Sequence, residues 1–61
     1  MKATKAIKLL NAFEKKATKK FNTDAMKYIS VIRLKMFNLA LKGEELDELQ
    51  ANAILRIKDR I

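Results

Sequence analysis

The chain has 61 residues, no cysteine, no histidine and no proline, and carries a net charge of +7 at pH 7. That length supports one domain, residues 1–61, which hides only about 60% of the surface its unfolded form exposes. Without thiols or imidazoles there is no disulfide, no thiolate or histidine metal site and none of the commonest acid–base catalyst, so the composition argues against metal and catalytic chemistry.

The segment from about Lys2 to Lys20 has a clean helical period. Ala3, Ala6, Ile7, Leu10, Phe13 and Ala17 recur at three- and four-residue steps and share one face. Lys5, Lys8, Lys15, Lys16 and Lys19 gather on the opposite face, so an amphipathic helix is predicted. Phe21-Asn22-Thr23-Asp24 then reads as a break and a restart. With Asn22 as N-cap, Phe21 and Met26 take the two positions of a hydrophobic staple. With Thr23 as N-cap, Asp24 falls in the first turn, where the helix dipole favours negative charge. A single long helix through residue 22 is the alternative.

The second helix is predicted over about 23–42 and differs from the first. Ala25, Ile29, Ile32, Met36, Leu39 and Ala40 form a core face, but Met26, Val31, Leu34, Phe37 and Leu41 spread apolar surface around most of the circumference. A helix apolar nearly all round is normally covered on several sides, and two partner helices cannot cover this one. A homodimer follows as the simplest expectation, with Ile29, Ile32, Met36 and Phe37 supplying core or oligomer interface.

Gly43, the only glycine, suits a left-handed C-terminal cap. A third helix is predicted over about 44–61, with Leu46, Leu49, Ala53, Ile57 and Ile61 as its apolar stripe, widened by Ile54. Its start is ambiguous: Gly43 can cap it directly, or Asp47 can cap it with Gln50 three residues on, a variant of the capping box. Nothing terminates it before Ile61, as expected of a chain that frays or continues beyond that residue. The fold expected is all-α: three amphipathic helices in a small bundle, completed by homodimerisation.

Charge is unevenly placed. Residues 1–42 hold ten Lys and Arg33 against Glu14 and Asp24, a balance of +9; residues 43–61 hold three cations against five acids, a balance of −2. The lysine face of helix one is the sharpest feature. Lys15/Lys19 and Lys16/Lys20 are like charges one turn apart, which costs an isolated helix a few tenths of a kcal/mol, roughly, per pair. A face serving stability alone would interleave Glu with Lys, although a lysine-rich face also serves solubility. The functional target that fits is a phosphate backbone of DNA or RNA, bound through counterion release. Eleven Lys against three Arg suit point-charge contacts better than bidentate reading of guanine. Tyr28 and the three Phe lie on or near apolar stripes, so no base-stacking platform is indicated.

Other readings fare worse. A helix-turn-helix with Gly43 in its turn would open its recognition helix on Glu44, Glu45, Asp47 and Glu48, which have the wrong sign for a groove. Those acids are better explained by the dipole of helix three than by a metal site, for which no loop of hard-ion ligands exists. Helix one laid on an anionic membrane conflicts with the core positions of Phe13, Ala17 and Phe21. Ser30 has no residue to activate it, and no Gly-rich phosphate loop is present, so no catalytic residue, cofactor or metal is expected. Lys27, Arg33 and Lys35 interrupt the most apolar stretch, Ala25 to Leu41, so no membrane span is predicted. No signal peptide is readable, and a cytoplasmic location is expected.

The expected function is that of a small basic binding protein, a nucleic-acid-associated accessory or regulatory protein whose Lys5, Lys8, Lys15, Lys16 and Lys19 contact phosphate. The alternative is a regulator or inhibitor, of the phage- or plasmid-type accessory kind, acting through apolar helix surface on a larger protein. No motif specific to a family is present.

Overall fold

A computed structural model describes all residues, Met1–Ile61. Three helices follow in chain order: α1 over Ala3–Lys19, α2 over Thr23–Leu41 and α3 over Glu48–Ile57, the last running into a 3-10 turn at Lys58–Arg60. There is no sheet; one isolated antiparallel bridge joins Lys2 to Glu45.

The α1–α2 connection is settled by backbone chemistry. The amide of Asn22 donates to the Ala17 carbonyl (2.9 Å) and that of Phe21 to the Thr18 carbonyl (3.1 Å), the paired bonds of a Schellman turn. Such a turn needs a left-handed residue, and here it is Phe21, with φ 55°. An L-residue with a bulky side chain holds that conformation at a cost of about 1–2 kcal/mol. Asn22 then caps α2, its side chain accepting from the Ala25 amide at 3.1 Å. Two helices with a cap between them replace the single-helix alternative. The staple does not form, however. Phe21 is 88% exposed, because the left-handed turn carries it away from the chain that Met26 helps to bury.

The α2–α3 connection repeats the same turn with Gly43 (φ 69°) in the left-handed position. The Glu44 amide donates to the Leu39 carbonyl and the Gly43 amide to the Ala40 carbonyl. The chain then does not re-enter a helix at residue 44, as the sequence reading over 44–61 expected. It runs extended past Glu45, where the Leu46 amide donates to the Met1 carbonyl at 2.9 Å. The helix starts only where Asp47 and Gln50 cap each other reciprocally: Gln50 N–H donates to Asp47 Oδ1 (2.7 Å) and Asp47 N–H to Gln50 Oε1 (3.1 Å). This delays α3 by four residues and leaves Leu46 outside the helix and Leu49 at its very start. Leu46 is buried as part of the connection, Leu49 is left 82% exposed, and Ile54 and Ile57 become the buried pair.

The core is small and lies between the antiparallel α1–α2 hairpin and the short α3. Leu10, Ile29, Ile54 and Ile57 are its largest fully buried side chains, joined by Met36 and Leu46. Ala3, Ala6, Ala17 and Ala25 fill the remainder, and their short side chains let the helix backbones approach closely. Arg33 fastens the hairpin midway: its guanidinium donates to Asn11 Oδ1 at 2.9 Å and to Glu14 Oε2 at 2.8 Å, both on α1. Lys20 and Asn22 donate to the carbonyls of Ile61 and Arg60, tying the end of the chain to the first turn. No buried side-chain nitrogen or oxygen is left without a partner. No helix is long and apolar enough to cross a membrane.

Candidate anion-binding face

α1 places Lys5, Lys8, Lys15, Lys16 and Lys19 within about 100° of arc at 3.6 residues per turn, opposite the buried Ala3, Ala6, Leu10 and Ala17. All five are exposed, and the residue lying among them, Ala12, is also exposed and too small to obstruct the face. From Lys5 to Lys19 the helix rises roughly 21 Å at 1.5 Å per residue. The structure therefore gathers every lysine that the periodicity assigned to this face.

Charge pairing sharpens the picture. The Arg33–Glu14 contact is the only salt bridge in the protein. Glu14 is the one acid on α1; it lies beside the buried stripe, on the far side of the helix from the lysines, and Arg33 on α2 binds it there. The lysine face is thus left without an intramolecular counter-charge. Lys16 and Lys19 lie in the last turn of α1, where they offset the negative end of the helix dipole. That accounts for two of the five; Lys5, Lys8 and Lys15 have no such role.

Four of the seven acids, Glu44, Glu45, Asp47 and Glu48, collect elsewhere. Glu44 and Glu45 line a shallow cleft of about 180 Å³ with Lys2, Ala3 and Thr4, at the N-terminal end of α1. Only Glu48 lies in the first turn of α3, with Asp47 as its cap, so dipole compensation explains those two and not Glu44 or Glu45. At the other end of α1, beyond Lys15, Lys16 and Lys19, Asp24 lies in the first turn of α2. At that same end, a cleft of about 310 Å³ opens between the start of α2 and the end of α3. There the Arg60 guanidinium sits 5.2 Å from the centroid of the Tyr28 ring, a cation–π contact.

The four α2 residues expected at core or interface divide. Ile29 and Met36 are buried within the protomer, and Ile32 is half-buried against the same core. Only Phe37 faces outward. It lies on a stripe with Val31, Leu34 and Leu41, spaced at three- and four-residue steps, of which Leu34 is 66% and Leu41 87% exposed. The sequence reading counted these residues as excess apolar surface without separating them from the core face. Subtracting the positions that share a face with Ile29 and Met36 would have isolated them. Phe21 was missed for a different reason. Its place before an Asn cap suggested a staple, whereas the same position closes the preceding helix and demands a left-handed backbone.

The chain matches no protein-family model, no curated protein and no solved structure.

Proposed function

We propose that this protein is a nucleic-acid-associated accessory protein whose α1 lysine face binds a phosphate backbone. The observation that carries this reading is the isolation of Lys5, Lys8, Lys15, Lys16 and Lys19: all are exposed, and the single acid of their helix is held by Arg33. Five like charges on one short face repel one another, and neutralisation by phosphates relieves that repulsion while releasing counterions. Lysine on this scale gives affinity without base readout. Electrophoretic mobility shift with duplex DNA and RNA across a salt series tests it. A shift at low salt that is lost on charge reversal of Lys15 and Lys19 is expected; no shift, or one indifferent to that reversal, contradicts it.

A second copy of the chain is the partner proposed for α2, and the exposed stripe of Val31, Leu34, Phe37 and Leu41 favours it. The protein exposes 4566 Å², against about 4,000 Å² expected for a monomer of its mass. Residues at steps of three and four on one helix can pack against their own two-fold image. The stripe faces away from both α1 and α3, so pairing through it leaves each lysine face free. Sedimentation equilibrium decides: twice the 7.0 kDa mass is expected, reverting to 7.0 kDa in Leu34→Glu. A monomeric wild type that binds apolar dyes strongly would transfer the stripe to a larger protein partner instead.

A further inference from the structure

The α1–α2 turn holds an exposed aromatic in a place where glycine is the ordinary choice. Phe21 has φ 55° and is 88% exposed, so its ring contributes little to the core and its backbone is strained. The sister turn at Gly43 shows the same hydrogen-bond pattern satisfied without a side chain. Fold stability therefore does not account for a phenylalanine here. Lys19 is two residues away, within about 8 Å along the chain, and Lys15 and Lys16 lie one turn further back. An aromatic face beside unpaired lysines is the combination that holds unpaired bases next to their phosphates, the ring stacking on a base while the ammonium groups meet the backbone.

We infer that Phe21 is a base-stacking residue, and that the α1 face with Phe21 at its end takes single-stranded rather than fully paired nucleic acid. This rests on the phosphate-binding reading of the same lysines and narrows its ligand. A duplex keeps its base faces stacked internally and offers the ring only an end or an edge. An anionic bilayer fits less well: α1 buries its apolar face against the rest of the protein, leaving Phe21 as an isolated apolar contact where an interfacial helix needs a continuous stripe.

The test compares three labelled probes at low salt by fluorescence anisotropy: an oligothymidylate of about fifteen nucleotides, an abasic strand of the same length, and a blunt duplex, a span within the range used by single-strand binders. Wild type is expected to bind the oligothymidylate more tightly than the abasic strand. Phe21→Ala should weaken oligothymidylate binding about five- to thirtyfold, to the level of the abasic strand, and leave abasic and duplex binding unchanged. Phe21→Trp should retain the preference, and helical circular dichroism should match wild type in both variants. If wild type binds the abasic and thymidylate strands equally, or Phe21→Ala loses nothing, the stacking role is refuted while phosphate binding stands. Binding to none of the three probes overturns both readings, whereas binding to the duplex alone overturns the single-strand inference and leaves phosphate binding standing. Phe21-dependent binding only to mixed phosphatidylcholine–phosphatidylserine vesicles would also overturn the inference, and assign the ring to a lipid surface.

Discussion

The outward faces of α1 and α2 are built on opposite principles. Both helices bury one side in the same core, yet α1 turns lysine to the solvent and α2 turns Val31, Leu34, Phe37 and Leu41. On α1 the division is clean: small and apolar residues inward, cations outward. On α2 the inward side is apolar, and the outward side mixes Val31, Leu34, Phe37 and Leu41 with the exposed Lys27, Ser30 and Asn38. An amphipathic helix is satisfied by one core, whereas large apolar side chains on the far side of a helix gain burial only against a second surface. The difference teaches that two outward surfaces of one small protein can differ in kind, one cationic and one partly apolar.

The inward faces should dominate stability and the outward ones should not. Leu10→Ala on α1 and Ile29→Ala on α2 remove fully buried side chains, at a cost of about 2–5 kcal/mol each. In a domain this short that is most of the available stability, so both variants should lose helical circular dichroism at 37 °C. Leu34→Glu should leave the urea midpoint nearly unchanged, within about 0.5 kcal/mol, at concentrations where wild type is monomeric. A large loss there would show that the stripe is needed by the protomer itself, and would erase the contrast between the two sides of α2.

Arg33 is where the two helices are joined, through Asn11 and Glu14. Arg33→Ala should cost about 1 kcal/mol, since the contact is partly exposed and its two acceptors can return to water. Phosphate binding should stay nearly unchanged, since Glu14 remains on the far side of α1 from the lysines, and urea titration with anisotropy on one sample can check both. The capping box gives a local effect of similar size: Asp47→Ala should lower stability by about 1 kcal/mol through fraying of α3. The two Schellman turns give effects of opposite sign. Phe21→Gly should stabilise by about 0.5–1 kcal/mol by relieving the left-handed strain. Gly43→Ala should destabilise by a similar amount, about 1 kcal/mol, although a new Cβ would meet nothing within 4 Å. Thermal melts resolve changes of that size in a chain this short, and a Phe21→Gly variant less stable than wild type would mean that the ring supports the fold after all.

The sequence was most readable where one physical effect acted alone. Periodicity placed α1 and its lysine face because apolar and charged residues separate cleanly there. The bounds of α2 were legible from Asn22 and Gly43, whose chemistry is local. The start of α3 was not, because the competing claims of Gly43 and Asp47 are decided by a tertiary contact: the pairing of Leu46 with Met1 keeps residues 44–46 extended. Leu49 was placed on the buried stripe because periodicity counts it as interior, whereas it is the second residue of α3 and stays exposed there. The exposed stripe of α2 was visible only as surplus hydrophobicity, since periodicity cannot rank two apolar faces until a neighbour covers one of them.

The most direct test of the central claim, that the α1 lysines are a phosphate-binding surface, is the salt dependence of affinity for a single strand between about 50 and 200 mM salt. With three to five phosphates neutralised, log K should fall against log salt with a slope of about −2 to −3.5. Lys15→Glu with Lys19→Glu should flatten that slope by about 1.4 and weaken binding at every salt concentration. A wild-type slope near zero, or a slope untouched by reversing those two charges, would mean that the lysines of α1 meet only water.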